Sequence, residues 1–256
     1  MPLNYLRHLS GNQRTRRANR QLGAMLALVA GAVNAGGFLA VKQYTSHMTG
    51  FVSAIADNLV LGNTLLVIGG VSSILSFLGG AASTSVMVNW ARHRRLFSEY
   101  ALPLMIEALL LLLFGLLGAN LQSFIAITLP ATVLLLCFIM GLQNALVTKL
   151  SQAEIRTTHV TGVITDLGIE LGKMIYWNHT HRPDSDGHVH ANREKLITHL
   201  LILGMFFSGC LIGAVGFKTF GFSTVLPFSA LLVLLACIPL GDDALAILRK
   251  RRSAAD

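Results

Sequence analysis

Gly31-Ala32-Val33-Asn34-Ala35, followed by Thr45-Ser46-His47-Met48-Thr49-Gly50, is a pattern that the chain writes twice. About 110 residues later it returns as Gly141-Leu142-Gln143-Asn144-Ala145 and Thr157-Thr158-His159-Val160-Thr161-Gly162, and Val52-Ser53 finds its match in Ile164-Thr165. An internal duplication in an apolar chain is the usual build of a membrane transporter or channel.

With 53% hydrophobic residues, 12% charged residues and a mean hydropathy of +0.62, the chain is too apolar for water and reads as an all-α polytopic membrane protein. Apolar windows fall at about 21–41, 63–89, 101–119, 124–147, 196–217 and 222–246. Each can cross a hydrocarbon core of about 30 Å, which predicts six transmembrane helices. Between the first and second helix of each set of three lies a shorter piece, about 43–61 and 151–172, that carries the repeated motif. The helical parts of these pieces are expected at about 48–61 and 159–172. The first membrane repeat then covers 21–119 and the second 124–246, between a basic N-terminus, 1–20, and a basic tail, 247–256.

Charge placement supplies a topology. Arg7, Arg14, Arg16, Arg17 and Arg20 precede the first helix, Arg92, Arg94 and Arg95 follow the second, and Arg249, Lys250, Arg251 and Arg252 come near the end. The positive-inside rule makes all three segments cytoplasmic. Lys149, Arg156, Lys173, Arg182, Arg193 and Lys195 fall between the fourth and fifth helices, which leaves only Lys42 and Lys218 outside. This split requires each motif segment to return to the side it left. The motif segments therefore read as re-entrant half-helices, and with three crossings per repeat the two halves are inverted relative to one another.

Lengths agree. From about Val41, some six extended residues at 3.3 Å each reach the midplane, and a helix from about Met48 to Leu61, near 20 Å at 1.5 Å per residue, climbs back. Non-helical backbone at membrane depth is tolerated where it lines a watery cavity or is buried in protein. The two half-helices would then aim their N-terminal ends, with partial positive charge and unpaired N–H groups, at one another near the midplane. Such a pair suits an anionic or hydrogen-bond-accepting solute and disfavours bare cations.

The sequence Ser46-His47-Met48-Thr49-Gly50 after an Asn- and Gly-bearing first helix, with Gly141-Leu142-Gln143-Asn144-Ala145 and Thr158-His159-Val160-Thr161-Gly162 later, resembles the YoaK family of bacterial inner-membrane proteins. That family is carried as a domain of unknown function. The resemblance covers about residues 20–245 and implies a bacterial inner-membrane fold on the scale of six helices, in a family for which transport is suspected. Where the first Thr-Gly of the family is often followed by Asn, this chain has Phe51. If that Asn contacts a solute, selectivity differs here.

The motif residues have two readings each. His47 and His159 either serve a site as donors or proton-sensitive groups, or satisfy backbone groups at the break. Thr49 and Thr161 either present hydroxyls to a solute or cap the helix start. Gly50 and Gly162 permit close approach, by solute or by another helix. Asn34 and Asn144 either face the site or bridge helices. Together these eight form the expected substrate site.

Acidic residues are less symmetric. Asp57 lies on the first half-helix and Asp166 and Glu170 on the second, while Glu107 interrupts an otherwise apolar third helix. Asp57, Glu107 and Asp166 are the candidates for proton coupling; against that, Glu107 could reach Arg94, Arg95 or headgroup water. Ser72, Ser76, Gly80 and Thr84 recur every four positions on the second helix, as do Gly209 and Gly213 on the fifth, forming ridges for helix packing or for a homo-oligomer interface.

A competing chemistry sits between the fourth and fifth helices. There 178–190 holds His179, His181, His188 and His190 around Asp184 and Asp186, a set that suits Zn²⁺, Ni²⁺ or Co²⁺, or else a solvated loop. Cys137, Cys210 and Cys237 are single thiols in apolar helices. Ala32-Val33-Asn34-Ala35 imitates a signal-peptide cleavage site, but its match in the second repeat favours an uncleaved anchor. The net charge of +8 is accounted for by flanks that meet anionic lipid, so nucleic acid need not be invoked. No Gly-rich nucleotide loop, no usable Ser/His/Asp spacing and no soluble domain large enough to power transport is found, so the chain reads as a non-enzyme without a cofactor.

These residues point to a secondary transporter or channel for a small polar or anionic solute, in the bacterial inner membrane with both termini cytoplasmic. A non-transporting scaffold or sensor is the alternative, and a divalent-metal transporter using the His-rich loop the lesser one.

Overall fold

The computed structural model describes residues 16–96, 98–120, 125–151, 158–176 and 190–252. All regular structure among them is helical: α1 (Arg16–Val41), α2 (Met48–Val60), α3 (Thr64–His93), α4 (Ala101–Ala119), α5 (Ile125–Leu150), α6 (Val160–Ile175), α7 (Arg193–Phe220), a 3-10 turn (Gly221–Thr224) and α8 (Val225–Arg252). Several helices outrun their apolar windows, because intrahelical hydrogen bonding continues into charged flanks such as Arg16–Arg20 and Arg92–His93, where hydropathy falls. Thr157, Arg156, His179, His181 and His188 lie outside the described residues.

Among the described residues, five helical stretches are long and apolar enough to cross a membrane. The fifth, Arg193–Asp243, is 51 residues long and holds two helices, α7 and α8, because Gly221 at φ 60° breaks it. By contrast α2, with 13 residues, spans only about 20 Å at 1.5 Å per residue, short of the core thickness.

Packing crosses between the two halves of the chain. Along α1 and α7 the contacts advance in step, Leu28 with Gly209, Gly31 with Phe206 and Cys210, Ala32 with Gly213, Gly36 with Phe217, so these helices run parallel. The same is true of α3 and α5. There Ser76 donates to the Leu134 carbonyl (2.7 Å), Gly80 meets Phe138, and Thr84 donates to the Leu142 carbonyl (2.9 Å). Gly31 and Gly141 hold equivalent places in the two crossings: a Cβ on Gly31 would collide with the Phe206 carbonyl, and one on Gly141 with the Phe77 carbonyl. The small-residue ridges of α3 and α7 thus pack inside one chain, where close backbone approach maximises van der Waals contact that a lipid-facing Leu could not make.

Two further pairings run antiparallel. Ala108 of α4 accepts from Ser229 of α8 (2.8 Å) while Gly115 meets Val225, and Gln143 of α5 donates to Leu26 of α1 (3.2 Å) while Gly37 meets Leu136. The core lies among α1, α4, α5 and α8, where Leu22, Leu104, Phe114, Leu136 and Leu232 are fully buried. Around it α2, α3, α6 and α7 expose apolar side chains such as Val52, Leu65, Leu75, Ile164 and Phe207. An apolar rim around a packed core is what lipid as solvent requires. At one end, Asp243 of α8 accepts from the Ser98 N–H (2.9 Å) and hydroxyl, which ties the α3–α4 connection to the last turns of α8.

Candidate functional site

In each half a motif hydroxyl lies against the first helix. After Val41 the backbone turns at Lys42 (φ 57°) and doubles back, and the Ser46 hydroxyl donates to the Asn34 Oδ1 at 2.9 Å. In the second half the Thr158 hydroxyl donates to the Asn144 Oδ1 at 2.5 Å. The two bonds are equivalent. Each amide spends its acceptor on holding the motif beside its own first helix. Asn144, only 7% exposed, has no hydrogen-bond partner for Nδ2 among the described residues.

Immediately after these anchors α2 and α6 begin. His47 and His159 occupy the N-cap positions, with backbone angles of φ −91°, ψ 70° and φ −82°, ψ 54°, and neither side chain makes a capping bond. Thr49 and Thr161 therefore stand inside the first turn and are not the caps. That corrects the capping reading: a Thr cap would need the non-helical backbone that the His residues take. The His47 carbonyl accepts from the Phe51 N–H (3.2 Å) and the His159 carbonyl from the Val163 N–H (3.0 Å), leaving first-turn N–H groups without intrahelical partners.

Both beginnings open on one cavity of about 460 Å³. Asn34, Ser46, His47, Met48 and Thr49 line it from the first half, with Tyr44; Asn144, Thr158, His159, Val160, Thr161 and Gly162 line it from the second. Phe77 of α3 and Phe206 of α7 complete the wall. Of the eight residues expected to form the site, all but Gly50 line this cavity. Gly50 lies under the His47 ring, since a Cβ there would stand 2.8 Å from Nδ1. Gly162 has open space on that side, so steric need explains the glycine in one repeat and not in the other.

The carboxylates lie elsewhere. Asp57 is exposed on α2. Asp166 pairs with Lys195 (3.3 Å) and His199 (3.5 Å) of α7. Glu107 is fully buried on α4, and neither carboxyl oxygen has a hydrogen-bond partner among the described residues, so it pairs with neither Arg94 nor Arg95. Of the His-rich loop only His190 is described, and among the described residues no group of three or more His, Cys, Asp or Glu could hold a metal.

Sequence reasoning passed over Ser46 and Thr158 as partners of the Asn residues, and over the Phe pair. A signal for the latter exists: Phe77-Leu78-Gly79-Gly80 and Phe206-Phe207-Ser208-Gly209 share Phe-x-x-Gly in corresponding helices. The glycine permits the helix crossing, and the Phe one turn earlier looks into the cavity.

Comparison with known proteins gives a family and a relative. The sequence profile of a family described as "Protein of unknown function (DUF1275)" matches residues 22–238. The chain is similar to the UPF0700 transmembrane protein YoaK of Bacillus subtilis (strain 168), 28% identical over 157 residues that cover 60% of this chain and 68% of that protein. No solved structure matches.

Proposed function

We propose that this chain, which belongs to the DUF1275 family of proteins of unknown function, is a non-enzymatic secondary transporter or channel for a small polar or anionic solute. The observation that carries this reading is that both copies of the Thr-His-x-Thr-Gly motif, far apart in sequence, line one cavity with both Asn residues.

In this reading six helices cross the bilayer and α2 and α6 enter it as half-helices, in two inverted repeats. Three facts support it. The first helix of each half runs parallel to the long helix after the motif in the other half, α1 with α7 and α5 with α3, as an exchange of halves requires. Next, α4 and α8 run antiparallel, as helices related by an axis in the membrane plane must. Finally, the Ser98–Asp243 bond brings the basic stretch ending α3 near the basic end of α8, so one cytoplasmic face serves both.

The cavity then lies near mid-depth. Two helix N-termini offer donors and partial positive charge, which favours an acceptor-bearing or anionic solute over a cation. The partners in this reading are lipid around the rim and the solute inside, in a bacterial inner membrane with both termini cytoplasmic.

Uptake into proteoliposomes tests it. Radiolabelled small anions should accumulate with the wild-type chain, and the combined His47→Ala, Thr49→Ala, His159→Ala and Thr161→Ala variant should lose at least 90% of the flux while eluting as folded protein. Unchanged flux in that variant would remove the site. Absence of flux for every solute, with the variant changing only thermal stability, would favour a scaffold.

A further inference from the structure

Resting on the transport reading above, we infer that the solute of the cavity is a small organic monoanion with a flat apolar body. Its acceptor head is held by the Asn34 and Asn144 amide N–H groups and the first turns of α2 and α6, and its body lies against Phe77 and Phe206.

The head group follows from the donors. Asn34 and Asn144 each accept at Oδ1 from a motif hydroxyl, 2.9 Å from Ser46 and 2.5 Å from Thr158, which leaves Nδ2 as the donor each of these cavity-lining amides has to offer. Asn144 is over nine-tenths buried, and its Nδ2 has no partner among the described residues. A buried amide donor left without a partner is costly, so an acceptor arriving there is favoured by what it relieves. Donors converge from four places: two amides and two helix starts.

The charge follows from the dipoles. Among the described residues no Asp, Glu, Lys or Arg lines the cavity. Each helix N-terminus is equivalent to roughly half an elementary charge, so the two together compensate about one negative charge. A monovalent head matches that field, whereas a divalent one would stay half uncompensated.

The body follows from size and wall. A cavity of about 460 Å³ is far larger than a halide needs and falls in the range of clefts for organic ligands. Phe77 and Phe206 come from corresponding positions of α3 and α7, and each is fixed by its own carbonyl pressed against a glycine, Gly141 for Phe77 and Gly31 for Phe206. Rings carried at two such close helix crossings give the cavity aromatic walls that suit a planar apolar group.

The test is calorimetric binding to the full chain in lipid nanodiscs with four probes: benzoate, acetate, chloride and benzyl alcohol. Benzoate should bind about tenfold or more tighter than acetate, since a buried phenyl ring is worth at least that factor. Chloride and benzyl alcohol should bind more weakly still. In Phe77→Leu/Phe206→Leu, which keeps an apolar wall and a foldable core, the benzoate-to-acetate ratio should fall below about three. In Asn34→Asp/Asn144→Asp both anions should lose affinity, and elution as a single folded species is the control. Equal, Asn-dependent binding of acetate, chloride and benzoate would overturn the organic class and leave an anion site standing. A benzoate preference that survives in the Phe variant would overturn the placement of the body. Tighter binding of benzyl alcohol than of any anion, or no binding at all, would overturn this inference together with the anionic reading beneath it.

Discussion

The hairpins α2–α3 and α6–α7 begin alike and end differently. At the cavity each starts from an Asn–hydroxyl anchor and a His N-cap, beside a Phe whose backbone is pinned by a glycine. At their far ends the likeness stops. The turn from α2 to α3 is three residues, Leu61–Asn63, with Gly62 at φ 74°, and Ile55 packs over Gly70. Between α6 and α7 the chain runs from Tyr176 to Asn192, and polar bonds close the gap. Asp166 meets Lys195 and His199, and Glu170 accepts from Lys173 (2.9 Å) and the Asn192 N–H (2.7 Å). A short turn holds two helices together by connection alone, whereas a long one leaves loop-closure entropy that contacts must offset. Symmetry is kept where both halves serve one cavity and relaxed where each end has only its own loop to manage.

The comparison breaks most severely at the crossings. Gly31→Ala and Gly141→Ala should each cost about 3 kcal/mol or abolish folded protein, because the obstructing atom is a backbone oxygen that cannot swing away. Denaturation in mixed micelles should show the two variants within about 1 kcal/mol of each other; a large difference would deny the equivalence of the halves. Next come the anchors. Ser46→Ala and Thr158→Val should each cost about 1 kcal/mol by the same measurement, with faster amide exchange at the first turn of α2 or α6 respectively.

The far ends should respond unequally. Asp166→Asn should loosen α6 by less than about 1 kcal/mol, seen as increased exchange along Val160–Ile175, whereas Asp57→Asn should leave α2 unchanged. Glu170 adds a pH signature. The Asn192 N–H, then Lys173, holds its carboxyl below the ordinary carboxylate range. A depressed folded pKa gives stability that is present above the unfolded value of about 4 and lost as pH falls through the folded one. The wild-type advantage over Glu170→Gln should therefore shrink on acidification below about pH 4. Smallest of all, Gly162→Ala should change stability by less than about 0.5 kcal/mol, since its Cβ meets nothing.

Much of this was legible in the residues themselves. Apolar windows marked the long helices because lipid demands continuous hydrophobicity, and the repeated Thr-His-x-Thr-Gly marked the two short ones because a duplicated polar motif has no packing reason to persist in an apolar chain. The partnership of Asn34 with Ser46 and of Asn144 with Thr158 was not legible. It depends on each motif segment lying back against its own first helix, which hydropathy does not encode. Nor were the partners of Asp166 and Glu170, because a carboxylate on an apolar helix reads alike whatever faces it.

The convergence of the two motifs is tested most directly by joining them. In a chain with Cys137, Cys210 and Cys237 replaced by Ser, Thr49→Cys and Thr161→Cys should react with a short bifunctional methanethiosulfonate in native membranes. A protease site placed between Asn120 and Ile125 then reports the outcome. The two fragments should remain linked as one chain, and a bound solute should slow the reaction. Free separation of the fragments, or linkage only between different copies of the chain, would contradict a shared cavity.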